Sequence, residues 1–367
     1  MEFGLNESQE ILKESVRKFF AGECPSSEVR RLMETDNAFD RNLWAKLADQ
    51  GYTGIIFPEE VGGVGLGLVE LVLLFEEAGR ALLPGPFFST VALAGSVLRA
   101  STSRELKNKY LSAISRGEAR STVAFVEAAV SWDPADAQMT ASNGKLKGEK
   151  LFVPDAAIAD FILVVASNGV FLVDAQSHGL RIAPMLGMDL TRKLCSVQFD
   201  NTPAEKLAET SVVSRALDVA TVALCAEMVG GMQRTLDLTV EFAKTRKQFG
   251  KPIGMFQAVQ HQCADMYLET ESSRSATYYA AWALEENAPD AASAVSIAKI
   301  YTSEASRTVG NRGIQVHGGM GFTWENDLHL YYRRAKSSET AFGDATFHRE
   351  RLARLVIDTD AVSAQKA

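Results

Sequence analysis

Residues 245–257 read Thr245-Arg246-Lys247-Gln248-Phe249-Gly250-Lys251-Pro252-Ile253-Gly254-Met255-Phe256-Gln257. An Ala-rich apolar run, Leu217 to Thr245, leads into them, and a second helical run starts at Phe256. A helix that ends in Arg246 and Lys247 puts two cations where its macrodipole favours positive charge. A glycine turn follows, and Gln257 opens the next helix. Arg246 on such a corner suits a bidentate contact to a phosphate. The same residues also read as an ordinary helix end with its usual charges.

A second stretch bears on that choice: Ile314-Gln315-Val316-His317-Gly318-Gly319-Met320-Gly321-Phe322. Glycines this dense after a helix let a backbone approach a ligand closely and present N–H groups to a pyrophosphate. Between and beyond the two stretches the helical runs are long: Phe256 to Asn287, Asp290 to Val309, and a shorter one near Thr346 to Val356. With Leu217 to Thr245 they predict a C-terminal four-helix bundle over residues 208–367.

Upstream the texture differs. Residues 118–207 contain short runs rich in Val, Phe, Ile and Leu, with Ser142-Asn143-Gly144 and Ser167-Asn168-Gly169 placed as hairpin turns. They predict a central antiparallel β domain. Residues 1–117 show helical spacing at Leu12, Val16 and Phe20, at Leu43 and Leu47, and through Leu68 to Leu83. They predict an N-terminal helical domain, and the whole an α+β multidomain chain. The glycines between Gly62 and Gly67 follow no convincing strand, so they read as a turn between helices and not as a phosphate loop.

At 367 residues, 46% hydrophobic and 23% charged, the chain has enough apolar residue for a large core. A net charge of −8 and no basic cluster exclude a general nucleic-acid binder. The four cysteines show no metal-ligand or redox spacing, which fits a reducing cytoplasm and no metal. Phe161 to Val173, the longest apolar stretch, is broken at Ser167-Asn168-Gly169 and is too short to span a bilayer. No targeting segment and no membrane association are expected.

Taken in order, RKQFGKPIGMFQ, GIQVHGGMGFTWE and the three zones resemble the acyl-CoA dehydrogenase family over the whole chain. The resemblance implies an FAD enzyme that desaturates the α–β bond of an acyl-CoA and passes electrons to an electron-transfer flavoprotein. By position, Arg246, Gln248, Phe249 and Gln257 resemble residues that hold the flavin's pyrophosphate and adenosine part from one subunit. Gln315, Gly318 and Gly319 would then reach the same FAD from a neighbouring subunit, in a homo-tetramer or in an α2β2 hetero-tetramer with a paralogous subunit. His317 reads as a packing residue, because the family's base is a carboxylate, and His261 as an interface residue.

The base is where the sequence departs. Most members carry Glu followed by Gly-Thr before the last helix; this chain has Ala341-Phe342-Gly343-Asp344-Ala345. Counting back from Arg351-Leu352 makes Asp344 the catalytic candidate, whereas counting forward from Arg333 to Lys336 lands on Phe342. The alternative family position, on the first bundle helix, holds Ala220, with Asp218 and Glu227 nearby on what read as solvated faces. The ring-contacting stretches of the β domain are also replaced, by Ala124 to Ala129 and by Phe152-Val153-Pro154-Asp155. These departures resemble the short subunits of heteromeric bacterial acyl-CoA dehydrogenases that act on steroids or other bulky acids. Two alternatives follow: a non-catalytic structural subunit, and a nitroalkane-oxidase-like enzyme with an Asp base.

Overall fold

The computed structural model describes residues 4–358. The helices in chain order are α1 (Glu7–Glu23), α2 (Ser26–Met33), α3 (Arg41–Asp49), α4 (Leu68–Arg80), α5 (Gly95–Arg99), α6 (Arg104–Ser115), α7 (Val213–Thr245), α8 (Gln257–Glu285), α9 (Ala291–His317), α10 (Leu328–Thr340) and α11 (Ala345–Ala353). The strands are β1 (Ser121–Ala124), β2 (Lys145–Pro154), β3 (Phe161–Ala166), β4 (Gly169–Asp174), β5 (Leu180–Met185), β6 (Leu194–Pro203), β7 (Glu205–Ala208), β8 (Lys247–Gln248) and β9 (Lys251–Pro252). The chain divides into two compact units. Of the described residues, one joins those up to Ser26, Leu68–Leu83 and those from Thr221 onward; the other joins Ser27–Gly67 and Pro84–Ala220. The helical zone at the N-terminus is therefore shared: α1 and α4 fold with the C-terminal helices.

In the first unit, Asn6 opens α1 with a reciprocal capping box to Gln9, which satisfies two N–H groups that a helix start leaves bare. Its Val16 and Phe20 are buried. Helix α4 carries two buried carboxylates, each met by a cation of α1: Lys13 Nζ lies 2.9 Å from Glu76 and Arg17 lies 2.6 Å from Glu77. Glu76 also accepts from Arg274 at 3.2 Å and from the Tyr278 hydroxyl at 2.8 Å, both on α8. Burial pushes its acidity down, but the charges of Arg274 and Lys13 outweigh that, and its pKa lies below the usual carboxylate value. Glycines bring α4 and α7 together: a Cβ on Gly79 would stand 1.9 Å from the Glu227 carbonyl, and one on Gly230 would stand 1.8 Å from that of Glu76. Val229, Met232, Leu236, Met266, Ala305 and Val309 form the apolar seam of α7, α8 and α9. Helix α10 was not foreseen from the sequence, and it carries Arg334 and Ser338 on its buried side.

In the second unit, one sheet has the order β1-β3-β4-β7 and the other β2-β6-β5. Both expected turns form. Residues 167–168 join β3 to β4, with Ala166 opposite Gly169, and Ser142 bridges Lys145 across Asn143-Gly144. Asn143 (φ 50°) and Gly144 (φ 68°) are both left-handed, as a two-residue hairpin turn requires. The sheets are not wholly antiparallel, because β1 pairs parallel to β3. The chain leaves β1 for β2 in the other sheet and returns beside β1 in the same direction. Residues such as Leu146, Ile162, Val164, Val197 and Phe199 fill the core of this domain. The glycine-rich turn spends its N–H groups internally: those of Val64, Gly65 and Leu66 donate to carbonyls of Gly54, Phe57 and Ile55.

Candidate functional site

Helix α7 stops at Thr245 because the chain turns back on itself. Lys247 pairs with Pro252 and Gln248 with Lys251, while the Ile253 N–H donates to the Arg246 carbonyl at 2.8 Å. The hairpin tip is Phe249-Gly250, with φ of 52° and 79°. For a bulky residue such as Phe249 the left-handed region costs roughly 1–2 kcal/mol, and its ring is 92% exposed. Strain combined with exposure of an aromatic ring makes Phe249 a candidate for contact with something outside its own fold. Phe256 then caps α8 and meets the Phe249 ring edge-on at 6.1 Å, leaving Gln257 as the first residue of α8.

The second motif lies at the same end of the bundle. The His317 ring stacks on Phe242 at 4.3 Å, and its Nδ1 lies 2.8 Å from the Gly313 carbonyl. Burial holds its pKa below the usual histidine value. His317 is thus a packing residue, as expected, and it ties the end of α9 to the end of α7. Arg246 is one turn beyond Phe242, about 6 Å along the axis, and Gly318 directly follows His317. Within one protomer, the two motifs therefore lie at the same end of the helices.

Arg246, Gln248, Phe249, Gln257, Gln315, Gly318 and Gly319 are all exposed. The Arg246 guanidinium has no carboxylate partner among the described residues. A Cβ on Gly318 or Gly319 would meet nothing within 4 Å, so that backbone is open to an approaching group. A guanidinium without a counter-charge and an open glycine backbone are each groups that suit a phosphate. Met255, Met320 and Phe322 add exposed apolar surface close by in the chain. His261 is exposed on α8.

The base candidates fall elsewhere. Asp344 is the N-cap of α11, its Oδ1 accepting from the Phe347 N–H at 2.9 Å, and it is exposed. Phe342 is nearly buried and left-handed at φ 58°, followed by Gly343 at φ 93°. Ala220 is fully buried. Asp218 and Glu227 are buried too, against the expectation of solvated faces. Glu227 is ion-paired with buried Arg334 of α10, a partner 107 residues away that helix periodicity does not reveal.

In the β domain the replaced loop is fastened by its own charges. Lys150 is fully buried; its ammonium donates to Glu127 at 2.6 Å and to the Phe125 carbonyl at 3.1 Å. Glu127 also accepts from the N–H groups of Gln138 and Met139. At Phe152 the β2–β6 register slips and φ reaches 55°, which turns the ring partly outward. Among the described residues no helix is long and apolar enough to cross a membrane, and no cluster of metal-binding side chains occurs.

Comparison with known proteins agrees along the chain. Residues 6–118 match the family description "Acyl-CoA dehydrogenase, N-terminal domain" and residues 210–357 match "Acyl-CoA dehydrogenase, C-terminal domain". Acyl-CoA dehydrogenase IpdE2 of Mycobacterium tuberculosis is 33% identical over 90% of this chain and 92% of its own length. A solved variant of the Tcur3481-Tcur3483 steroid ACAD superposes with a TM-score of 0.89 at 31% identity, covering 97% of this chain and 99% of that one. The ChsE4-ChsE5 complex from Mycobacterium tuberculosis gives 0.89 at 29% identity, covering 96% and 98%. With both terminal domains matched and the relatives collinear almost end to end, the chain belongs to the acyl-CoA dehydrogenase family.

Proposed function

We propose that this chain is an FAD-binding polypeptide of an acyl-CoA dehydrogenase that lacks a base of its own and works with a paralogous subunit that supplies one. The observation that carries the reading is Gly343. The family pattern Glu-Gly-Thr has a single glycine, and Gly343 is the glycine between α10 and α11, with φ 93° and a would-be Cβ 2.3 Å from the Phe347 ring, a position that only glycine fits. Thr is a capping residue, and Asp344 caps α11. Phe342 then stands in the place of Glu, and a phenyl ring takes no proton. Ala220, at the alternative position, takes none either.

Arg246, Gln248, Phe249, Gln257, Gln315, Gly318 and Gly319 would hold the pyrophosphate and adenosine part of FAD. When bound, FAD would accept a hydride from the acyl β-carbon and hand electrons to an electron-transfer flavoprotein. This chain's part is to bind and orient. Arg246 supplies charge-assisted hydrogen bonds to the diphosphate, and the open backbone at Gly318-Gly319 allows close approach. The acyl-CoA is that of a steroid or other bulky acid, in keeping with the relative named a steroid ACAD. The ChsE4-ChsE5 complex, an assembly of two named chains, supports the hetero-oligomeric form over a homo-tetramer.

The test is expression with and without a paralogous family member that keeps the glutamate. Co-expressed protein is expected to be yellow and to bleach anaerobically with an acyl-CoA, whereas this chain alone does not bleach. Bleaching by the chain alone would show that it has its own base. Bleaching with a nitroalkane and formation of peroxide would point to an Asp-based oxidase. Colourless protein in both preparations would remove the FAD assignment.

A further inference from the structure

Lys299, on α9, is fully buried. Its ammonium has three donors, and three neutral oxygens match them: Ser303 Oγ at 3.1 Å and the carbonyls of Ser338 and Glu339 at 3.0 and 2.9 Å. Both carbonyls lie in the last turn of α10, where carbonyls lack intrahelical partners and a cation is favoured. The Glu339 carboxylate is directed away, to Arg307 at 3.0 Å and Lys336 at 2.8 Å. Among the described residues, no carboxylate oxygen touches the Lys299 ammonium.

The chain that leaves this turn is the Phe342 loop. It has two consecutive left-handed residues, Phe342 and Gly343. The Phe342 carbonyl lies 2.9 Å from buried His348 Nε2, and Asp344 caps α11. The loop is therefore fixed on its near side by Lys299 and on its far side by His348 and the cap. The titratable groups that face Lys299 are Cys225 from α7, Glu339 from α10, and Asp344 and His348 from the loop and α11.

We propose that Lys299 is a positioning residue for the Phe342 loop: the loop cannot leave its present path without returning the Lys299 ammonium to water. Only the identification of Phe342 with the base position rests on the function proposed above; the latch itself rests on the contacts just given.

Burial, only partly offset by the more distant carboxylates of Glu339 and Asp344, brings the Lys299 pKa down to about 8. Burial also puts His348 down to about 4 and Cys225 up to about 12, so neither changes charge near pH 8. An opened loop hydrates Lys299 and restores an ordinary value of about 10.4. Between those two values the open state holds more protons than the closed one. Closing is then favoured as pH rises, by up to about tenfold per pH unit.

Hydrogen exchange read by mass spectrometry on the full chain from about pH 7 to 10 tests this. Protection of residues 338–345, corrected for the intrinsic pH dependence of exchange, is expected to be flat below about pH 8 and then to climb by up to about tenfold per unit. Lys299→Met has no proton to lose and Lys299→Arg keeps its charge throughout, so both are expected to be flat. A lysine whose hydration does not change when the loop opens would leave no slope in the wild type, whatever its substitution does to protection. A flat wild-type profile overturns the proposal even if neither variant folds, and a slope that survives in Lys299→Met overturns it as well. Flavin content measured on the same samples separates the outcomes: a pH-flat loop in yellow protein sinks the latch and spares the function, and a sloping loop in colourless protein does the reverse.

Discussion

Asp344 shows how one side chain is given two readings and how they part. As the N-cap of α11 its oxygen satisfies the Phe347 N–H, a contact commonly worth about 1 kcal/mol when lost to alanine. As a base it would contribute about 10²–10⁴ in rate. Asparagine separates the two, because it caps as well as aspartate but takes no proton. In the assembled enzyme, Asp344→Ala is expected to lower stability by about 1 kcal/mol and Asp344→Asn to leave it nearly unchanged, with turnover kept by both. Urea melts beside turnover numbers check it. A fall of about a hundredfold in Asp344→Asn would return the base to this residue.

Among the elements, the contact of α4 with α7 is set by which glycine faces it. Gly230 and Gly231 are neighbours in α7, and helix propensity favours alanine over either by about 1 kcal/mol. A methyl on Gly230 would meet the Glu76 carbonyl at 1.8 Å, whereas the nearest atom for Gly231 is a Tyr331 ring carbon at 3.8 Å, an ordinary contact. Gly230→Ala is therefore expected to destabilise by about 3 kcal/mol or more, and Gly231→Ala to stabilise by up to about 1 kcal/mol. Opposite signs from adjacent positions, read by thermal or urea denaturation, are the check; equal effects would mean that the helices do not cross there. The same contrast explains what the sequence could reveal. Asn143-Gly144 and the apolar runs around Ser167-Asn168-Gly169 carry their geometry locally, and so do the long Ala-rich helices. Helix α10 does so less, since Arg334, His329 and Ser338 share its buried side with Leu328 and Leu330. Glu76, Glu77, Lys150 and Lys299 are buried because partners 23 to 202 residues away neutralise or solvate them. The Phe249 turn hides for a different reason: glycine at one tip position is legible, but a strained phenylalanine at the other is not.

At the scale of the whole molecule, the proposed flavin site is a surface and not a pocket. Seven exposed residues at one end of one protomer cannot enclose a dinucleotide, and ligand sites commonly cover 70–90% of a ligand. The rings of Phe249, within it, and Phe322, just beyond it in the chain, are 92% and 69% accessible, and apolar surface of that kind marks an interface. On the function proposed above a second protomer closes over the cofactor, and binding and assembly become linked. Linkage is reciprocal: whatever factor FAD adds to subunit affinity, subunits add to FAD affinity. Diluting the protein about a hundredfold is expected to release flavin in step with dissociation, and added FAD to raise the weight-average mass at a fixed protein concentration. Arg246→Ala, losing charge-assisted hydrogen bonds worth about 1.5–3 kcal/mol, is expected to shift both curves together by roughly ten- to a hundredfold. Flavin fluorescence and sedimentation velocity on the same dilution series make the comparison. Flavin that stays bound to a dissociated monomer would mean that one protomer encloses it alone, and the exposed end of the bundle would then need another occupant.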